Sequence, residues 1–111
     1  MIEKFIQDYL IGCTEVPVYV EEPQRPPKKY ILVDKLGSSV ENHILSASVA
    51  IQSYGSSRLE AAQLNENVKA YMEAMATRPE ISRCKLNSDY PFMDTATKRH
   101  RYQAVFDITH Y

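Results

Sequence analysis

Hydrophobic positions near the start of the chain recur with helical spacing. Apolar side chains stand three or four residues apart, which places them on one face of a helix: Ile2, Phe5, Ile6, Tyr9 and Leu10. This pattern predicts a helix over residues 1–11. Gly12 is expected to end it, because glycine is favoured just beyond helix C-termini.

A longer helical pattern lies in the middle of the chain. Ser57 and Glu60 have the spacing of a capping box, in which each side chain bonds a free backbone N–H of the first turn. The helix is predicted to run from there to Ala76. Thr77-Arg78-Pro79 ends it, because the residue before a proline avoids the helical conformation. Its apolar positions share one face and are expected to pack on a sheet: Ala61, Leu64, Val68, Tyr71, Met72 and Met75.

Alternating apolar and polar residues predict five strands. They are expected at residues 16–20, 30–33, 43–54, 83–90 and 98–109. Pro17 places the first strand at a sheet edge, because proline cannot donate a ladder hydrogen bond. The proline-rich segment 21–29 is a loop, and Gly37-Ser38-Ser39 predicts a turn after the second strand.

The later strands have a predicted buried face and a predicted outer face. In the third strand, Leu45, Ala47, Val49 and Ile51 are expected to point to the core, and Ser46, Ser48, Ala50 and Gln52 to solvent or a polar partner. In the fourth strand, Cys84, Leu86 and Tyr90 share one parity. In the last strand, the inward set is Tyr102, Ala104, Phe106 and Ile108.

Together these elements predict an α+β fold in a single domain over residues 1–111. The expected architecture is one mostly antiparallel or mixed β-sheet. An N-terminal helix and one longer central helix pack on this sheet. The element order is α-β-β-β-α-β-β.

Charge and composition then exclude several classes of protein. The chain has 13 Lys and Arg against 14 Asp and Glu, which argues against a domain built mainly to hold nucleic acid. No apolar run approaches the roughly 20 residues of a membrane helix, and the first residues are not typical of a secretory signal. Cys13 and Cys84 do not make a disulfide framework; reduced thiols are expected, and a single bridge between them stays open.

Candidate catalytic chemistry is sparse. His43, His100 and His110 are scattered without a metal-ligand spacing, so no metal, cofactor or catalytic set is predicted. Cys84 could act as a nucleophile with His100 as its base. Its position within an alternating strand favours a structural cysteine.

The candidate partner contacts fall into three groups: Arg25, Pro26, Pro27, Lys28 and Lys29 of the proline loop; Ser46, Ser48 and Gln52 of the polar sheet face; and Lys98, Arg99 and Arg101. Tyrosines lie near the basic residues, and bases of a single-stranded nucleic acid could stack on them, so a nucleic-acid-binding module is one alternative. The same basic residues would also keep a sheet edge soluble, or dock an acidic protein partner.

Nearly the whole chain, read in order, resembles the tail terminator or tail completion proteins of long-tailed bacteriophages. The matching segments are Arg25-Pro26, Tyr30-Ile31-Leu32-Val33, Gly37, Val49-Ala50-Ile51-Gln52-Ser53-Tyr54-Gly55, Ser57 with Ala61 and Ala62, and Arg101-Tyr102-Gln103-Ala104-Val105-Phe106-Asp107-Ile108. Among these segments, the strand that ends in Tyr54-Gly55 before a Ser-capped helix contributes most to the resemblance. Gly37 departs from the pattern, since Ser38 follows it in place of a second glycine.

This resemblance implies a structural assembly protein, not an enzyme. Such proteins form a ring, commonly a hexamer, at the head-proximal end of the tail tube. The ring stops tube polymerisation and presents a surface to the head connector. The implied partners are further copies of the chain, the tail tube protein and the head-tail connector protein, with no membrane and no sequence-specific nucleic acid. The implied location is the virion tail or neck, and the host cytoplasm during assembly. The alternative within the same group of proteins is a head-tail connector subunit, which occupies an adjacent layer of the phage neck.

Overall fold

The computed structural model describes residues 2–110. In this range the elements are α1 (Ile2–Cys13), β1 (Val18–Tyr19), β2 (Tyr30–Glu41), β3 (Ile44–Gly55), α2 (Arg58–Met75), β4 (Ile81–Pro91) and β5 (His100–His110). The predicted α+β class and the predicted element order are confirmed.

The strands form one mixed sheet in the order β1-β2-β3-β5-β4. Strand β1 runs parallel to β2, and the other neighbours are antiparallel. Both helices pack on one side, which we call the helix face. The core there joins Ile6 and Leu10 of α1 and Leu64, Val68, Met72 and Met75 of α2 to Ile31, Val33, Val49, Ile51, Phe106 and Ile108 of the sheet. Burial of this apolar surface is the main force that holds the helices on the sheet.

The first helix is longer than predicted. It continues through Gly12 to Cys13, and the Thr14 N–H still donates to the Leu10 carbonyl at 3.1 Å. Gly12 has no positive φ, so it does not act as a left-handed stop. Strand β1 is shorter than predicted, since only Val18 and Tyr19 pair with β2.

The second strand also differs from the prediction. It does not end at Val33 but runs to Glu41, and the predicted turn at Gly37-Ser38-Ser39 is wrong. The register instead shifts between Lys35 and Gly37, so the signal marks a β-bulge. The turn is formed by Asn42 and His43, whose φ values are 51° and 65°. Two positive φ values in a two-residue loop match the twist of a hairpin.

The central helix begins where predicted, but the predicted capping box forms only in part. The Ser57 hydroxyl accepts from the Glu60 N–H at 3.1 Å. The Glu60 carboxylate in turn accepts from the backbone N–H and the hydroxyl of Ser56, each at 2.9 Å. The first bond satisfies a donor that a helix start leaves unpaired, and the other two hold the residue before the N-cap in place of the predicted bond to the first turn.

The last two strands differ from the prediction at their ends. A register shift between Leu86 and Ser88 moves Tyr90 to the face opposite Cys84 and Leu86, so the common parity predicted for these three residues is wrong. Strand β5 begins at His100, and Lys98 lies before it with a φ of 57°. The inward parity of Ala104, Phe106 and Ile108 is confirmed by their burial.

Candidate assembly surfaces

The side of the sheet away from the helices, which we call the second face, is partly closed by its own side chains. Gln52 is only 7% exposed, and its amide donates to the Gln103 side chain at 2.9 Å. The Gln103 amide donates to the Tyr90 hydroxyl at 2.7 Å. Gln52 therefore has partners within the subunit and is not part of an open contact surface, although its place on this face was predicted.

Ser46 and Ser48 lie on the second face nearer the β2–β3 turn and are half-exposed. The Ser48 hydroxyl donates to the Asp107 carboxylate at 3.1 Å, and the Asn87 amide donates to the same carboxylate at 3.0 Å. This part of the face is polar and accessible. A partner that meets it would contact hydroxyl and carboxylate groups.

Arg101 is held inside the subunit. Its guanidinium donates to the Phe92 carbonyl at 2.8 Å and to the Tyr54 hydroxyl at 2.9 Å. It also lies 4.3 Å from the centre of the Phe92 ring, within cation–π range. Because its side chain is only 14% exposed, Arg101 fixes the loop after β4 and is not available to bind a phosphate backbone.

The proline loop covers one end of the second face. Pro26 and Pro27 are half-buried, while Arg25, Lys28 and Lys29 are exposed. Tyr30, which follows the loop, is fully buried and donates its hydroxyl hydrogen to Glu22 at 2.6 Å. Burial, and then this hydrogen bond, raise the pKa of Tyr30.

Arg99 packs against the same tyrosine, with its guanidinium 5.9 Å from the Tyr30 ring centre. Lys98 is exposed beside it. The two predicted basic clusters are therefore linked through Tyr30, but Arg99 and Arg101 already have aromatic and hydroxyl partners in the subunit.

The β2–β3 hairpin extends beyond the core as an arm, defined here as residues 34–44. Every residue of the arm is exposed. Three of its apolar side chains face solvent: Leu36 at 55%, Val40 at 67% and Ile44 at 45% exposure. The predictions missed the arm, because no element within residues 2–110 covers it and so no burial pattern marks it.

A groove of about 390 Å³ lies where the arm meets α1 and the start of β4. Phe5, Leu45 and Ile81 contribute apolar wall. Glu3 reaches into it with a buried carboxylate oxygen that accepts no hydrogen bond from the described residues and lies 3.9 Å from the Lys35 ammonium. The groove therefore offers apolar contact with an acidic group at its side.

Both sides of the sheet end in unpaired strand edges. Strand β4 is terminal, with no strand on its outer side in residues 2–110. At the other side, β1 pairs only with Ile31 and Leu32, so the rest of β2 is also without an outer partner in that range. Open edges present free backbone donors and acceptors to another strand.

The surroundings of Cys84 do not activate its thiol. Cys13 and Cys84 are free thiols, and burial raises the pKa of Cys84 to about 11. A nucleophilic thiol needs the opposite shift. In the part of the chain that the structure describes, no cluster of three or more His, Cys, Asp or Glu could hold a metal ion. Neither described helix is long and apolar enough to cross a membrane.

Comparison with known proteins gives no family assignment: no family model matches the chain, and no curated protein matches it.

Proposed function

We propose that the chain is a structural assembly protein of a long-tailed phage. It caps the head-proximal end of the tail tube as a ring, stops tube polymerisation and provides the surface that joins the head. Its partners are copies of itself, the tail tube protein and the connector protein. It acts in the virion neck after assembly in the host cytoplasm, without a cofactor and without catalysis.

The observation that carries this proposal is that the subunit has two unlike surfaces at opposite sides of one sheet. The arm at the β2 side exposes Leu36, Val40 and Ile44. The β4 side presents a terminal strand edge. A closed ring of identical subunits needs such a pair, because each copy meets its two neighbours through different patches. The resemblance of the sequence to tail terminators supports placing this ring at the head-proximal end of the tail tube.

A nucleic-acid-binding module is supported less well. It needs Lys98, Arg99 and Arg101 to face a phosphate backbone. Arg101 is instead packed against Phe92 and hydrogen-bonded to Tyr54. The remaining exposed cations are balanced by acidic residues over the whole chain, with a net charge of -1.

The test is to mix the purified chain with tail tubes polymerised from the tube protein of the same genome. Negative-stain images are expected to show tube ends closed by a ring, and tube growth is expected to stop. Binding to filled heads but not to tubes would assign the chain to the connector layer instead. Binding to neither would overturn both forms of the proposal.

A further inference from the structure

The two outer strands of the sheet run in opposite directions. Each of the neighbour pairs β2–β3, β3–β5 and β5–β4 is antiparallel, so β2 and β4 point opposite ways. When copies stand side by side around an axis along the strands, β4 of one copy therefore meets β2 of the next copy in antiparallel orientation. The sheet has four long strands, β2, β3, β5 and β4. Because this number is even, the two outer strands meet in antiparallel orientation at every junction of the ring.

Neither outer edge is blunted by proline or by a short strand, and the register shifts of both strands lie outside residues 38–41 and 83–86. Proline within the strand, or a very short strand, blunts an edge. The arm part of β2 and β4 up to Tyr90 contain no proline, and the two strands are 12 and 11 residues long. The short protective strand β1 covers only Ile31 and Leu32.

Charges on the second face of the two edges are opposite. On β2, Asp34 and Glu41 are exposed; on β4, Arg83 and Lys85 are exposed. The register places all four on the second face, since their cross-strand partners there are Ala50, Ile44, Thr109 and Asp107. None of the four makes an ion pair or a side-chain hydrogen bond with another described residue.

We propose that the arm edge of β2 in one copy pairs antiparallel with the outer edge of β4 in the next copy. Glu41 then lies opposite Arg83, and Ser39 opposite Lys85. Cross-strand pairs of opposite charge stabilise such a junction. The inference rests on the proposed function for the closure of the ring, and the strand contact itself is open to test in the free protein.

The same register gives a consistent pattern on the helix face. It places Val40 opposite Cys84 and next to Leu86. Val40 is 67% exposed in the single subunit, and Leu86 is 38% exposed. The contact would therefore cover apolar side chains on one face and pair Glu41 with Arg83 on the other, while the backbone hydrogen bonds continue the sheet.

Thiol cross-linking tests both the contact and its head-to-tail character. In a background with Cys13→Ala and Cys84→Ala, one protein carries Ser39→Cys and a second carries Lys85→Cys. A short bifunctional maleimide is expected to join the two proteins when mixed, and to give at least tenfold less product with either protein alone. Ser38→Cys replaces Ser39→Cys in the control, since Ser38 points to the helix face.

Charge reversal gives an independent readout by light scattering. Glu41→Arg alone and Arg83→Glu alone are each expected to weaken association about tenfold, and a mixture of the two proteins to regain it at their shared junction. Two results would overturn the inference. One is efficient cross-linking of the Ser39→Cys protein alone or of the Lys85→Cys protein alone. The other is the absence of a cross-linked product from their mixture at concentrations up to those used with tail tubes. Mixed products that fail to cap tubes would leave the strand contact standing and overturn the proposed function.

Discussion

Tyr30 and Tyr54 stack face to face across neighbouring strands, with ring centres 4.2 Å apart and planes 7° from parallel. Both rings are buried on the second face of the sheet, although neither of the two described helices packs there. Arg99 approaches the ring of Tyr30, and Arg101 the ring of Tyr54. The result is a small polar and aromatic core that ties the proline loop and the loop after β4 to the sheet.

Loss of the Arg101 side chain should destabilise the subunit. Arg101→Ala removes two charge-assisted hydrogen bonds and the contact with Phe92. We expect the free energy of unfolding in urea to fall by about 1.5–3 kcal/mol. The control is Lys28→Ala in the proline loop, an exposed position where a change within about 0.5 kcal/mol is expected. Equal effects of the two substitutions would contradict the structural role of Arg101.

Two glycines should respond in opposite ways to alanine. A Cβ at Gly55 would lie 2.6 Å from the backbone nitrogen of Ala61, so the start of α2 would have to shift. We expect Gly55→Ala to lower the free energy of unfolding by about 1–3 kcal/mol. A Cβ at Gly12 meets nothing within 4 Å, and Gly12 lies in α1. Gly12→Ala should therefore raise the same free energy by about 0.5–1 kcal/mol. Thermal unfolding of both variants shows whether the two changes in the free energy of unfolding have opposite signs.

Acid should weaken the start of α2 through Glu60. Hydrogen bonds from the Ser56 backbone and then from its hydroxyl lower the pKa of Glu60 below its ordinary value of 4.5. Its contribution to stability is therefore complete above pH 4.5 and is lost as the pH falls through the lowered pKa. Glu60→Gln should flatten this part of the pH dependence of unfolding. Gln63→Ala changes an exposed residue of the same helix that does not titrate, so it should leave the slope as it is.

Cys84 should react slowly with alkylating reagents. Burial raises its pKa from 9.0 to about 11, which lowers the thiolate fraction at pH 8 about 100-fold. A Cys13→Ala protein leaves Cys84 as the sole thiol. Its modification by iodoacetamide, followed by mass spectrometry, should be slower in the folded protein than in urea by at least that factor. Fast modification of the folded protein would reopen the thiol-enzyme hypothesis.

Polar substitutions in the arm should separate assembly from stability. Leu36→Ser and Val40→Ser change exposed side chains, so the free energy of unfolding of the subunit should stay within about 0.5 kcal/mol. Ring formation or tube capping should be lost. Leu59→Ser is the matched control, because Leu59 is 79% exposed on α2, away from the arm. Assembly that survives the arm substitutions would contradict the proposed role of the arm.

Sequence patterns predicted the elements that face the core and misjudged those that do not. Alternation and helical spacing report burial, so β3, α2 and β5 were predicted with nearly correct bounds. The arm has no buried face, and its extension to Glu41 left no pattern in the sequence. Gly37-Ser38 was interpreted as a turn because a bulge and a turn use the same residue types.

The candidate contact residues were separated only by the structure. Gln52 and Ser48 have the same parity in β3, yet Gln52 is buried beneath neighbouring side chains and Ser48 is half-exposed. Arg101 was indistinguishable from Lys98 as a basic residue in the sequence. The positions of Phe92 and Tyr54 give it internal partners, and those contacts depend on the loop after β4 and on the strand register.

The arm has a consequence for how this chain changes over evolutionary time. Its exposed side chains add nothing to the buried core, so mutation at Leu36 or Val40 meets little constraint from folding. Selection on partner choice can therefore act on the arm while the scaffold beneath it stays the same. In the proposed ring, the arm would be a surface that can diverge together with the surfaces it contacts.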